Sequence, residues 1–412
     1  MIIIGGGAAG MMTAALAADR YKVTLFEKNE KLGKKLFITG KGRCNLTNNS
    51  GEEEFLRNVV TNNKFLYSAI NAFGQSDVME YFEKLGLRLK TERGNRVFPV
   101  SDHSSDVIRT LEQELKRKGV NVFLNRKVDE LRITDKEENG EIIHQVTGVV
   151  SGGKTYDSDV VVIATGGISY PQTGSDGDGF KFARGLGVDV TKLYPALVPV
   201  RLKDDFCTEL MGLTLKNVRI SFSYMKKNKK KDIYTEQGEM LFTHFGISGP
   251  LVLSGSSYLH KFKDDEILIS LDLKPALSED KLEQRIIRDF EAFKTRELKN
   301  ALGELLPRAM IPFVINKSGI NPDRRVNGLS KEEIKKLVYT FKNFDMQYDG
   351  LMGYDQAIIT SGGISVKEID PRTMELKKIS GIRVAGEVID CDALTGGFNL
   401  QIAWSTAYLA SR

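Results

Sequence analysis

Gly5, Gly7 and Gly10 stand in the spacing G-x-G-x-x-G directly after Met1-Ile2-Ile3-Ile4, and Glu27 closes a second apolar run, Lys22-Val23-Thr24-Leu25-Phe26. Residues of these types in this order can hold a diphosphate and a ribose. Gly5 allows a tight turn, Gly7 lets a pyrophosphate approach the backbone, and Gly10 lets a helix sit close on a strand. The helix N-terminus adds free N–H groups and partial positive charge, offered by Ala8, Ala9 and Gly10. A carboxylate about 20 residues past the turn accepts hydrogen bonds from both ribose hydroxyls and repels a 2′-phosphate. The pattern therefore favours FAD or NAD over NADP at this site.

These groups need a scaffold of strand, turn, helix and strand. The run Ile2-Ile3-Ile4 is apolar as a buried parallel strand is. Met11 to Ala18 is rich in good helix formers. The stretch after Glu27, from Lys31 to Asn45, is basic and glycine-rich and predicts a loop wrapped around an anionic group. Within it Arg43 and Asn45 can donate to phosphate or flavin edges. A second buried strand, Asp159 to Ile163, runs into Ala164-Thr165-Gly166-Gly167, small residues that let a backbone pass close to a cofactor. Near the C-terminus Gly386-Glu387 follows a strand, and Thr395-Gly396-Gly397-Phe398-Asn399-Leu400-Gln401 precedes a last helix from Ile402 to Ala410. The N-terminus of that helix can face the pyrimidine edge of a flavin, where reduced flavin carries negative charge.

Composition narrows the class. Of 412 residues, 41% are hydrophobic and 27% charged, as in ordinary globular chains of two or three domains. A net charge of +5 does not by itself point to nucleic acid. Cys44, Cys207 and Cys391 are too few and too far apart for a disulfide framework, a zinc site or a redox pair, and no metal is expected. They suit a reducing cytoplasm. No apolar run reaches the roughly 18 residues of a membrane span, and no signal peptide fits ahead of the first strand, before which a few further residues are expected. A second complete G-x-G-x-x-G is absent.

Apolar spacing predicts helices over Phe65 to Leu85, Asp106 to Lys118 and Phe180 to Gly187, a hairpin over Leu87 to Val100, and a strand over Val120 to Leu124. Asp135 to Gly140 predicts a hairpin turn. Short strands such as Val218 to Tyr224 then take over, with amphipathic helices expected over Asp280 to Leu306 and Lys331 to Phe344. The division expected is an α/β Rossmann-like domain of residues 1–188 and 355–412, an inserted β-rich domain of 189–250 with part of 310–354, and a helical subdomain of 251–345. The run Lys226-Lys227-Asn228-Lys229-Lys230-Lys231 fits a solvated hairpin tip first, and a phosphate contact for RNA second. Glu239 to Pro250 is dense in Gly, Ser, His and aromatic residues and is expected to wall an active site.

Taken together, Ile2 to Gly10, Thr39 to Thr47, Ala164 to Gly179, Glu239 to Pro250, Gln356 to Ile364 and Ala385 to Trp404 resemble the BaiN-like NAD(P)/FAD-dependent flavoproteins, also described as aminoacetone-oxidase-like. The resemblance spans nearly the whole chain. It implies an FAD-binding domain of the two-dinucleotide-binding flavoprotein type carrying an inserted β-rich and helical region. It places FAD against Gly5, Gly7, Gly10, Glu27, Thr39, Arg43, Asn45, Thr165, Gly166, Glu387 and Gly397 to Gln401, with the backbone of Val128 against the adenine. Ala8, Ala9, Lys28, Lys35, Gly40, Cys44, Ala164, Gly386 and Gly396 complete the expected cofactor set. The family's members are linked to reduction of double bonds in steroid-like molecules and to dihydrouridine formation in ribosomal RNA. The expected activity is an NAD(P)H-driven reduction of a conjugated or pyrimidine C=C bond, with a ribosomal RNA dihydrouridine-forming flavoenzyme and a non-catalytic flavin redox sensor as the alternatives. His244, Cys44 and Tyr170 are the candidate proton donors.

Overall fold

The computed structural model describes residues 1–138, 141–227, 229–262 and 265–412. The chain forms two compact units, Met1–Ala196 with Tyr354–Arg412, and Leu197–Gly353.

The first unit is built on a five-stranded parallel sheet in the order Ile382–Val384, Val161–Ile163, Ile2–Ile4 (β1), Thr24–Phe26 and Asn121–Phe123. β1 takes the centre, with Ile3 opposite both Val162 and Leu25. Its three isoleucines are buried, as expected of a strand covered on both faces. Helix Ala8–Ala17 (α1) follows at once. Eight of its ten residues are buried, so it is apolar all round rather than amphipathic. It packs against the C-terminal helix Phe398–Ala410 and against Ser104–Arg117. This strand–turn–helix–strand unit is the Rossmann arrangement.

Three local differences from the sequence pattern have physical causes. The helix expected over Phe65 to Leu85 is two, Tyr67–Ala72 and Gln75–Lys84. Phe73 leaves helical geometry, and the Asp77 carboxylate accepts the Gly74 N–H at 2.7 Å, starting a new helix there. The helix expected to run to Leu306 is Glu279–Ala292, and short turns replace its second half. The last helix begins at Phe398, one turn earlier than expected, so Gly397 is its N-cap. The strands Glu130–Glu138 and Glu141–Ser151 pair as an antiparallel hairpin. Residues 139 and 140 of the turn expected there lie outside the described residues.

In the second unit six antiparallel strands close a barrel, in the order Val200–Leu202, Gly246–Ser248, Lys229–Thr243, Thr214–Lys226, Ile267–Asp272 and Phe344–Leu351. Helix Pro250–Leu259 packs against it through small residues. A Cβ at Gly255 would lie 2.6 Å from the Phe222 ring and 2.9 Å from Tyr234. Barrel residues such as Ile220 and Phe242 share one core with Leu282, Ile286, Leu337 and Phe341 of the helices Glu279–Ala292 and Lys331–Lys342. Among the described residues no helix is long and apolar enough to cross a membrane.

Candidate cofactor site

The turn from β1 into α1 is shaped by contacts that only glycine tolerates. Gly5 has φ +105°, and a Cβ there would lie 2.5 Å from the Ala164 carbonyl oxygen. A Cβ at Gly10 would run into the Gly5 carbonyl. Gly7 is different: a Cβ there meets nothing within 4 Å, so no neighbour in the protein demands glycine. The space before it adjoins the N-terminus of α1, which no side chain caps. A diphosphate fits both observations, because it needs a bare backbone and unspent N–H donors.

Glu27 is buried, and its carboxylate already accepts three hydrogen bonds. Oε2 takes the Gly6 N–H at 2.7 Å, and Oε1 takes the Asn29 N–H at 2.8 Å and its Nδ2 at 2.6 Å. Of about four acceptor positions on a carboxylate, one is left for a ribose hydroxyl. Val128, also buried, starts no strand, and neither its N–H nor its carbonyl has a partner among the described residues. That backbone is free to pair with an adenine edge.

The cations expected at the cofactor are all held by carboxylates. Lys28 donates to Asp176 at 2.5 Å and to Asp178 at 2.9 Å, and Lys127 reaches Asp178 at 3.1 Å. Burial opposes the charge on Asp178, yet the ammonium groups of Lys28 and Lys127 outweigh it and hold the carboxyl well below the usual range. Arg43 bonds Glu92 and Asp102 and lies 4.1 Å from the centre of the Phe98 ring. Lys35 donates to Glu387 at 2.6 Å and to Ser169 at 2.7 Å.

The loop from Thr39 to Cys44 is tightly wound. Gly40, Lys41, Gly42 and Cys44 all have left-handed φ, between +57° and +84°, and Thr39 Oγ1 donates to the Leu36 carbonyl. Non-glycine residues in that region carry strain, which collects at ligand sites. Cys44 is fully buried, and burial pushes its thiol up to about 12 against the weaker pull of a Thr39 hydrogen bond. Asn45 Oδ1 is buried without a partner and lies 3.0 Å from where a Gly397 Cβ would be. Gly396 and Gly397, at φ +125° and +99°, lead into the uncapped N-terminus of the last helix. Asn399 spends its amide on Ala393 N and O, and the buried Gln401 bonds Thr47, Ser405 and the Phe73 carbonyl. Their side chains shape this corner, and the backbone N–H groups of the helix end remain for a ligand.

Thr165 Oγ1 is a further buried hydroxyl without a partner, on the segment after strand Val161–Ile163. Ala164 and Thr165 thus border Gly5, Gly166 follows them against Ser175, and Gly386 lies against Ala9, where its Cβ would come within 2.7 Å. The structure gathers all these segments in the first unit. Of the candidate proton donors, Cys44 and Tyr170 belong to that unit. Tyr170 sits at φ +50° beside Ser169. His244 belongs to the second unit, exposed in the two-residue turn between strands Lys229–Thr243 and Gly246–Ser248. The lysine run joins the two longest barrel strands, with Lys226 opposite Lys229 and its described lysines exposed; Asn228 lies outside the described residues. Sequence reasoning missed Ser169 and Thr360, which hold Glu387, and the acids that hold Arg43 and Lys28. Ser169 lay within the glycine-rich stretch after the Ala164 strand end, whereas Thr360 carried no signal of its own.

Comparison with known proteins agrees with this geometry. Residues 1–412 match the family described as HI0933-like protein Rossmann domain. The chain is 30% identical to the 3-dehydro-bile acid delta(4,6)-reductase of Clostridium scindens, covering 100% of this chain and 97% of that one. It is 31% identical to the ribosomal RNA dihydrouridine synthase of Escherichia coli, covering 100% and 96%. Its fold is similar to that of the 3-ketosteroid delta1-dehydrogenase of Sterolibacterium denitrificans, with TM-score 0.53 at 15% identity over 100% of this chain and 98% of that one. The bare Gly7 backbone, the uncapped helix ends and full-length family similarity lead to one conclusion: the chain belongs to the HI0933-like Rossmann-domain family of FAD-dependent oxidoreductases.

Proposed function

We propose that the protein takes electrons from NAD(P)H and uses them, through FAD bound in the first unit, to reduce a conjugated carbon–carbon double bond in a small molecule. The observation that carries the cofactor is Gly7, a glycine no protein neighbour requires, set before an uncapped helix N-terminus. The direction of the reaction is supported by the relative named a bile acid reductase. With no second G-x-G-x-x-G in the chain, the nicotinamide meets the flavin without a Rossmann domain of its own. Free cysteines suit a cytoplasmic enzyme.

Bound FAD supplies hydride to one carbon of the double bond. The chain must then hold a proton for the other carbon. Cys44 is fully buried, so its thiol cannot reach a substrate. Tyr170 lies on the loop that follows Ser169, beside the Glu387 network, and its phenol carries an O–H donor. We assign it the proton, with His244 of the second unit as the other candidate. Anaerobic mixing with NADPH and NADH tests the reductive half: bleaching of the flavin absorbance by either supports the reading, and no bleaching by either overturns it. Tyr170→Phe is expected to leave bleaching intact and slow reoxidation by an enone acceptor about 100-fold. Unchanged reoxidation would move the role to His244, where His244→Ala tests it.

A second reading, reduction of uracil in ribosomal RNA, is favoured by the relative in Escherichia coli and by the exposed lysines at the barrel hairpin tip. Replacing Lys229, Lys230 and Lys231 with Ala should weaken binding to unmodified ribosomal RNA and flatten its salt dependence. Binding that does not change would remove the hairpin from that role.

A further inference from the structure

Four segments far apart in the chain meet at the Glu387 carboxylate. Oε2 accepts from Lys35 Nζ at 2.6 Å. Oε1 accepts from the Ser169 hydroxyl at 2.7 Å and from the Thr360 N–H at 2.9 Å. The Ser169 oxygen in turn accepts from Lys35 at 2.7 Å. Thr360 Oγ1 accepts the N–H groups of Ile168 and Ser169, at 2.9 and 3.2 Å, and so fixes the turn that presents the serine. Ser169 and Thr360 are 0% and 2% exposed, so water cannot replace either. Gly167 completes the fit: a Cβ there would collide with Thr360 Oγ1 and lie 2.8 Å from Glu387 Oε1.

Counting bonds shows what this closed network leaves open. Oε1 has two donors and is saturated. Oε2 has one donor and one acceptor position left. The Lys35 ammonium uses two of its three hydrogens and has one left. The Lys35 and Glu387 side chains are each 20% exposed, so the unspent donor and acceptor are reachable side by side. A single hydroxyl can satisfy both, donating to the carboxylate and accepting from the ammonium.

We propose that Ser169 and Thr360 are positioning residues that lock Glu387 and Lys35 into a clasp for one hydroxyl of a polyol chain, the ribityl chain of FAD. The proposal rests on the reading that FAD binds at Glu387. Thr360 also lies on strand Ile359–Ser361, which pairs with Tyr194–Ala196, so it is the residue through which this ribbon touches the clasp.

The test is titration of the full-length apoprotein with FAD, followed by flavin fluorescence, with the melting temperature of each apoprotein measured alongside. Ser169→Ala loses the hydroxyl that bonds Glu387 and Lys35, and Thr360→Val loses the acceptor of the Ile168 and Ser169 N–H groups, so each is expected to weaken FAD binding about tenfold. Thr360→Ser, which keeps the hydroxyl, is expected to restore wild-type affinity. Ser169→Ala and Lys35→Met act on the same carboxylate, so the double variant is expected to lose less than the product of the two single losses. A residue that only supports the fold would lower the apoprotein melting temperature and give multiplicative losses. Ser169→Ala binding FAD as tightly as wild type, while Glu387→Gln binds at least tenfold more weakly, would overturn the clasp and leave Glu387 at the cofactor. Glu387→Gln binding as tightly as wild type would overturn the placing of FAD at Glu387, and the clasp with it.

Discussion

Lys35 and Glu387 are 352 positions apart in the chain, yet the Lys35 ammonium donates to the Glu387 carboxylate at 2.6 Å. One comes from the short helix Lys34–Ile38, in the basic stretch that the sequence pattern reads as a loop, and the other from the turn after the edge strand Ile382–Val384. Their pairing ties the two ends of the first unit together at the candidate cofactor site. Each side chain is four-fifths covered, so the pair is screened less than a surface ion pair.

Removing the cation should therefore be felt in cofactor content. Lys35→Met leaves Glu387 with only the Ser169 and Thr360 donors. The purified variant is expected to bind FAD about tenfold to 100-fold more weakly, as loss of a charge-assisted hydrogen bond implies. The ratio of flavin to protein absorbance after gel filtration, and a titration of the apoprotein, check this.

Two glycines of one turn should fail in different ways. Gly10→Ala drives a methyl into the Gly5 carbonyl, so the apoprotein is expected to lose about 1–3 kcal/mol, read as a lower melting temperature. Gly7→Ala meets no protein atom within 4 Å, so the apoprotein should melt within about 2 °C of wild type. Its FAD affinity should fall instead, because the methyl occupies the approach to the backbone. Equal affinity in Gly7→Ala would argue that the diphosphate does not lie there.

Alkaline stability should depend on the buried thiols. Burial pushes Cys44 from 9.0 up to about 12, and burial helped by Asp204 and Asp205 pushes Cys207 up to about 11. Above pH 9 the unfolded chain releases these protons while the folded chain keeps them. The unfolded state then binds fewer protons, so stability falls with rising pH up to the folded values, by about 1.4 kcal/mol per pH unit for each thiol. Urea unfolding at pH 8 and pH 10 should show a smaller drop for Cys44→Ala than for wild type. Native Cys44 should also resist iodoacetamide at pH 8 until the chain is unfolded.

Acid stability should depend on Asp178. Burial opposes its charge, but Lys28 and Lys127 hold the carboxyl well below its ordinary 3.8. A depressed carboxyl stabilises the fold above the unfolded value and loses that contribution as pH falls through the folded one. Asp178→Asn should unfold more readily than wild type at pH 6, and the gap should narrow as pH drops below about 4. Thermal unfolding at pH 6, 4 and 3 measures it.

Much of the first unit could be read from the chain because its signals are local. The glycine spacing, the Ala- and Met-rich helix and the strand ending at Glu27 lie within 27 residues, and each shows its own composition or period. The small residues after strand Val161–Ile163 and the glycines before the last helix were visible for the same reason. The break at Phe73-Gly74 was hidden because apolar spacing continues through it, and only the Asp77 cap separates the helices.

What tertiary structure alone decided is which groups face each other across the fold. The short strands expected over residues 189–250 announce β-structure, but a closed six-stranded barrel depends on pairings such as Ile269 with Met346, which no window of sequence contains. Arg43 has the composition of a phosphate ligand, yet the hairpin at residues 89–99 and the turn after it bring Glu92 and Asp102 to its guanidinium. Thr360 is one threonine among many until the fold places its hydroxyl under Ser169 and its N–H on Glu387. A hydrogen bond is a relation between two atoms in space, and residue type at one position carries no record of the partner that long-range packing delivers.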